Sequence, residues 1–294
     1  SDVYVPFLKA YVSALGHNEY YEQVLRVIAN LDKGHIKALP LSGESWYEID
    51  DAQDLDTATL IFSEPNQRYK LLTGRYGGYW RFEDLKDFCY LVNPYFPPES
   101  LNNEIKHNLP KLMQSYPSGE QVQAMLAGKM FNLPDSYIVV GNGAAELIEK
   151  VTVSLNDRFG LFRPTFEEYP ERFNNIDCRV PNAEGFAYGK DEIIQLAKKN
   201  NGAILINPDN PSGNYIPYKD LIYILDCLKP LGKYLLVDES FIDFAEDGFE
   251  SSLLNTQDLE KYPNLIVIKS IGKSYGVGGL RLGVLASSNT DLLK

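Results

Sequence analysis

Residues 136–155 read SYIVVGNGAAELIEKVTVSL, and how this stretch is read decides the fold. A β-branched run breaks at a Gly-Asn-Gly turn and continues as an amphipathic helix, which predicts a strand feeding a helix through a tight turn. The pattern recurs downstream. RFGLFRPTF (158–166) and GAILINPDNPSG (202–213) are apolar runs that end in polar turns. DLIYILDCLKPLG (220–232) reads as a helix stopped by glycine, and KYLLVDES (233–240) and NLIVIKS (264–270) read as buried strands. Near-continuous apolar strands alternating with helices predict an α/β fold, a mostly parallel sheet sandwiched by helices. Ligands of such sheets gather at the carboxyl ends of the strands. Every polar cluster considered below follows a strand.

Working outward, the front of the chain is different. YYEQVLRVIANL (20–31) has helical periodicity, IKALPL (36–41) is a short apolar segment, and in WYEIDDAQDLDTATLIF (46–62) Asp51 or Asp54 could cap a closing helix. The polar, turn-rich stretch 63–80 lacks a period and predicts a boundary. The expected organisation is a first segment over 1–65 and a large domain over 75–294, with the strand, loop and helix pattern starting near residue 85.

The 294 residues carry a net charge of −12, with 44% hydrophobic and 23% charged side chains. These values fit a globular protein and disfavour disorder, nonspecific nucleic-acid binding and attachment to anionic membranes. No apolar run reaches membrane-spanning length, so a cytoplasmic location is expected. Cys89, Cys178 and Cys227 lie far apart without metal-ligand spacing, which predicts buried thiols, no disulfide framework and no zinc site.

The strand ends carry the chemistry. GNGAAELIEK places the first-turn amides of Ala144 and Ala145 at a helix N-terminus, where an anion is favoured; Glu146 stands where a dinucleotide fingerprint needs its third glycine. Phe166 follows a strand and could stack on a planar ring. Asn210 sits at the centre of NPDNPSG with an amide free to donate. Asp238 ends an apolar strand, where a carboxylate is costly unless paired. IKSIGKSYGVGGLRLG (268–283) surrounds Lys273 with glycines, places Ser270 three residues before it, and adds Arg281, whose planar fork suits a phosphate. One ligand satisfies all of these groups. Pyridoxal 5′-phosphate needs a lysine for its aldehyde, a carboxylate for its pyridine nitrogen, and amides, a hydroxyl and an arginine for its phosphate.

In this order, GNGAAELI, RPTFEEY, NPDNPSG, VDESFIDF and SIGKSYGVGGLRLG resemble the large domain of fold-type I pyridoxal-phosphate enzymes. The resemblance is to the class I/II aminotransferases, in the branch containing histidinol-phosphate aminotransferase and threonine-phosphate decarboxylase. It implies Lys273 as the Schiff-base lysine and proton shuttle, and Asp238 as partner of the pyridine nitrogen. It also implies Asn210 as donor to the phenolic oxygen, Phe166 as the stacked ring, and Ser270, Arg281, Ala144 and Ala145 as the phosphate site. Tyr116, in SYPSG, is implied to reach the phosphate of a neighbouring subunit, and so a homodimer; VNPYFPP offers Asn93 and Tyr95 as substrate-lining residues. Phe241 stands where the family commonly has tyrosine, which removes one hydrogen bond to the phenolic oxygen, and Gly272 replaces a frequent phosphate-binding serine.

The implied reaction is transfer of an amino group between a small amino acid, phosphorylated or phosphonate-bearing, and a keto acid or aldehyde. Decarboxylation of the threonine-phosphate type is the alternative, as is a cofactor-binding piece without catalysis. The family's C-terminal small domain is expected to be absent, since the chain stops soon after Arg281. The front end, YYEQVLRVI through WYEIDDAQDLDTA, resembles the tail of sugar-phosphate and phosphocholine-type nucleotidyltransferases, with Glu48 and Asp50 at acidic metal-site positions. The resemblances together imply a nucleotidyltransferase–aminotransferase fusion, with no metal site in this chain alone.

Overall fold

The computed structural model describes residues 2–294 except 38, 76, 83, 84, 156, 182 and 183, and divides into two compact units, Ser1–Asp87 and Phe88–Lys294. The first unit is helical. α1 (Tyr4–Leu15) is followed by α2 (Glu22–Asn30), which buries Val24 and Ile28, and by α3 (Ala52–Ile61), which buries Ala58 and Leu60. Asp51 and Asp54 both serve the start of α3. The Asp51 carboxylate accepts from the backbone of Gln53 (2.7 Å) and Asp54 (2.9 Å), and the Asp54 carboxylate accepts from the Asp51 backbone. Three backbone amides at the helix start are thereby satisfied in a reciprocal cap.

Within the stretch 63–80, where a boundary is expected, runs α4 (Pro65–Thr73), and the two compact units part between Asp87 and Phe88. The helix hides in the sequence because it buries no residue and so has no apolar stripe. Its start is fixed by Pro65 and by Arg68, whose guanidinium donates to the carbonyls of Ile61 (2.6 Å) and Ser63 (3.1 Å).

The second unit begins with helices rather than a strand: α5 (Glu99–Gln114) and α6 (Glu120–Phe131) precede β1 (Ile138–Asn142). Then follow α7 (Gly143–Leu155), β2 (Phe159–Phe162), α8 (Glu168–Arg172), β3 (Ile176–Arg179), α9 (Lys190–Lys199), β4 (Gly202–Ile206), α10 (Tyr218–Leu228) and β5 (Tyr234–Asp238). α11 (Thr256–Lys261), β6 (Leu265–Ser270), the single turn α12 (Ile271–Ser274) and β7 (Leu282–Ala286) complete it. The strands form one sheet in the order β1-β7-β6-β5-β4-β2-β3. All pairs are parallel except those of β7, which is antiparallel to β1 and to β6. This is the mostly parallel, helix-flanked architecture anticipated from residues 136–155.

Strand alternation divides the core in two. Leu235, Val237, Leu265 and Val267 pack with α6, α9, α10 and α11, while Leu236, Ile266 and Ile268 pack with α7 and with Tyr169 and Phe173. Each fully buried aliphatic side chain contributes about 1.5–3 kcal/mol, so the middle strands are the firmest part of the unit. Their carboxyl ends carry Asp238 and Ser270. The thiols depart from expectation, since Cys89 is exposed and Cys178 and Cys227 are only half-buried. Among the described residues no helix is long and apolar enough to cross a membrane.

Candidate active site

At the carboxyl ends of the parallel strands an open cavity is lined by Ala144, Ala145, Phe166, Asn210, Asp238, Ser270, Lys273 and Arg281, together with Ile206, Ser240 and Phe241. Residues up to 137 positions apart in the chain, Ala144 and Arg281, therefore share one site. The reversed strand explains the last arrival. Because β7 runs antiparallel, its beginning lies at the edge where the other strands end, and Arg281 immediately precedes it.

Arg281 adopts a left-handed backbone (φ 56°), which costs about 1–3 kcal/mol for a non-glycine residue and persists where surroundings impose it. Its guanidinium lies against the start of α7: a Cβ built on Gly143 would come within 3.1 Å of its Nη2. Close approach of β7 to this helix start also requires Gly283, whose added Cβ would lie 2.7 Å from the amide nitrogen of Ala144. A cation and the unsatisfied first-turn amides of a helix thus converge on one spot, which suits an anion.

Two other glycines near Lys273, Gly272 and Gly276, accommodate the chain itself. A Cβ on Gly272 would meet Gly278 at 2.9 Å, and one on Gly276 would meet the Phe96 carbonyl at 1.8 Å. Segment 92–98 straps this turn. The Asn93 backbone donates to the Lys273 carbonyl (2.9 Å), its side-chain amide donates to the Ser274 carbonyl (2.9 Å), and the Phe96 ring meets Tyr275 edge-on at 5.2 Å. The Asn93 amide is therefore committed to the strap, and Tyr95 is almost fully exposed.

Asp238 is 2% exposed and accepts from the Tyr169 hydroxyl (2.8 Å) and the Ser240 backbone (2.9 Å). The Ser240 hydroxyl in turn accepts from the Ser270 backbone (3.0 Å), tying the ends of β5 and β6 together. Burial raises the Asp238 carboxyl above its ordinary range against the lowering effect of its hydrogen bonds and of Lys273. Burial, then the nearby Arg281, pushes the Lys273 amine down, and its Nζ stands 5.8 Å from the centre of the Phe241 ring. Asp238, Lys273 and Arg281 form no ion pair among the described residues.

Asn210 is held by its loop. The Asn207 side chain donates to the Ile216 carbonyl and accepts from its amide (3.0 and 2.8 Å). Asp209, 5% exposed, accepts from the Thr165 hydroxyl (2.5 Å) and from Ser212, which joins the Asn210 loop to the turn bearing Phe166. Tyr169, Asp209, Thr165 and Ser240 are the supporting residues that motif reading missed. Only Asp209 carried a signal, as the sole acid within NPDNPSG.

Tyr116, between α5 and α6, is fully exposed and does not line the cavity. Glu48 and Asp50 lie exposed in the segment before α3 of the first unit, and among the described residues no group of three or more His, Cys, Asp or Glu could hold a metal ion.

The family model for class I and II aminotransferases matches residues 93–294. CMP-5′-(3-aminopropyl)phosphonate synthase of Streptomyces rubellomurinus is 30% identical over 89% of this chain and 41% of its own length. That match exceeds the second unit and so includes part of the first. L-serine phosphate decarboxylase of Campylobacter jejuni is 31% identical over 70% of this chain and 56% of its own. The chain thus spans about half the length of these relatives. Among solved structures, the histidinol-phosphate aminotransferase of Clostridium acetobutylicum superposes with a TM-score of 0.61 at 26% identity, over 71% of this chain and 62% of that one.

Proposed function

The chain belongs to the class I and II aminotransferase family, and we propose that it acts on the amino-bearing carbon of a phosphorylated or phosphonate-bearing amino acid, transferring the amino group to a keto acid or aldehyde. The family is one of pyridoxal 5′-phosphate enzymes, and the residues around the cavity fit that group. The observation that carries the reading is a buried acid, a half-buried lysine and an arginine at a helix N-terminus, none of them ion-paired among the described residues, around one cavity. When bound, the cofactor supplies an aldehyde for amines and a protonated ring that draws electrons from the bonds at the substrate's α-carbon.

The protein's part is binding, orientation and proton transfer. Asp238 holds the proton of the pyridine nitrogen, which relieves the cost of its own burial. Phe166 and Asn210 orient the ring, and Arg281, Ser270 and the amides of Ala144 and Ala145 hold the phosphate. Lys273 Nζ, its proton affinity lowered by burial, takes and returns a proton at the α-carbon. Phe241 cannot replace a tyrosine's hydroxyl, so Asn210 alone donates to the phenolic oxygen. The proposal includes a cytoplasmic homodimer in which Tyr116 reaches a neighbouring subunit's phosphate.

The resemblance to a serine-phosphate decarboxylase favours a second reading, loss of carbon dioxide at the same carbon. The match of a CMP-aminophosphonate synthase across both units supports a fusion with a nucleotidyltransferase and a phosphonate among the substrates. Mixing the protein with pyridoxal phosphate is expected to give a visible absorption band that Lys273→Ala abolishes; a variant that keeps the band sinks the assignment of Lys273. Amino transfer that depends on a keto acid and releases no carbon dioxide supports the first reading, and release without a keto acid replaces it with the second.

A further inference from the structure

On the sheet face opposite the cavity, the buried Lys269 and Glu239 and the half-buried Asp243 meet in one place, and the reading above uses none of them. Lys269, next to cavity-facing Ser270 on β6, is 2% exposed, and its ammonium lies 2.7 Å from Asp243 Oδ1. The other oxygen of Asp243 accepts from the hydroxyl of Ser274, the residue after Lys273. Glu239, also turned away from the cavity, accepts from the Ser252 hydroxyl and from the Leu253 backbone (2.7 Å).

Desolvating a lysine and an aspartate often costs more than their attraction returns, and an apolar pair would serve stability as well. The placement of this pair suggests what else it does. α12 is four residues long, too short to hold its own shape, so its anchors decide where Lys273 stands. Two anchors come from Asn93, to the carbonyls of Lys273 and Ser274. The third is Asp243, which Lys269 keeps from swinging away. Asp243 also lies five residues after Asp238, so one short loop connects the buried acid to the anchor of the amine's turn.

Resting on the assignment of Lys273 above, we propose that Asp243 is a positioning residue for it: braced by Lys269, Asp243 holds the Ser274 hydroxyl and so fixes where the Lys273 amine stands against Asp238.

Ser274→Ala tests this, because it leaves the Lys269–Asp243 pair intact and a purely stabilising pair would not respond. Without cofactor, the rate of reductive methylation of Lys273 by formaldehyde and cyanoborohydride, mapped by mass spectrometry, is expected to change about threefold or more while Lys294 is unaffected. With pyridoxal phosphate, the pH midpoint of the visible band is expected to move by about half a unit or more, with melting held within about 2 °C of the parent. Ser274→Thr, which restores the hydroxyl, should reverse both changes, and Asp243→Asn should reproduce them with a lower melting temperature. An unchanged methylation rate for Lys273 in Ser274→Ala overturns the proposal. Absence of the visible band from the parent protein would instead overturn the cofactor reading, and the methylation rates would still decide the role of Asp243.

Discussion

Asp238 and Glu239 are consecutive acids, both sealed from solvent, and strand alternation sends them to opposite faces of the sheet. Glu239 is enclosed by protein: Ser252 and Leu253 donate to it, and burial pushes its carboxyl up to about 7. Asp238 also has two donors, Tyr169 and Ser240, yet it borders an open cavity that holds Lys273 and Arg281. Burial raises both acids, so burial alone does not distinguish a ligand partner from a structural acid. What distinguishes them is whether space beside the carboxylate is left for a cation from outside.

The strongest way to break this contrast is Asp238→Asn. Loss of a preorganised charge facing the reacting group should lower turnover about 10²–10³-fold with little change in melting temperature. Turnover close to that of the parent would place the two acids in the same class.

Glu239→Gln should act on stability instead. A raised folded-state pKa means that this group's contribution is fully present below about pH 4.5 and is lost as pH rises through about 7. The variant should therefore match the parent near pH 4.5 and gain up to roughly 3 kcal/mol in urea unfolding at pH 8. A gain independent of pH would show that folding leaves the proton affinity of Glu239 unchanged.

Tyr169→Phe sharpens the contrast with the smallest effect. Removing one of the two donors to Asp238 should raise that carboxyl further and cost about tenfold in turnover. The acid limb of the pH profile should move to higher pH. An unmoved limb would assign Tyr169 to packing alone.

The strands that sequence reading located, in 138–140, 159–162, 202–206, 234–238 and 265–270, announce themselves by apolar runs, which in the last four are buried on both faces. β3 escaped it because Ile176–Arg179 is a short edge strand with two charged residues, paired only with β2. β7 lay behind the glycine-rich turn that drew attention to Lys273. Of the glycines in that turn, Gly272 and Gly276 make room for the backbone of Gly278 and Phe96.

The cavity lining was legible because most of its residues sit one turn past a strand end, a position readable from local pattern. Tyr169, Asp209 and Asp243 were not, because their partners lie 69, 44 and 31 residues away. Tyr116 is named by the resemblance alone and stands fully exposed, away from the cavity lining.

By itself the sequence determined the succession of strands, turns and helices and the kinds of polar group at the strand ends, since both follow from periodicity and turn chemistry within a few residues. Only the tertiary structure decided that β7 runs backwards, bringing Arg281 to the start of α7, and that Asp238 and Glu239 face different surroundings. The physical reason is that strand direction and side-chain partners are set by hydrogen-bond register and packing between distant segments, which no local pattern encodes.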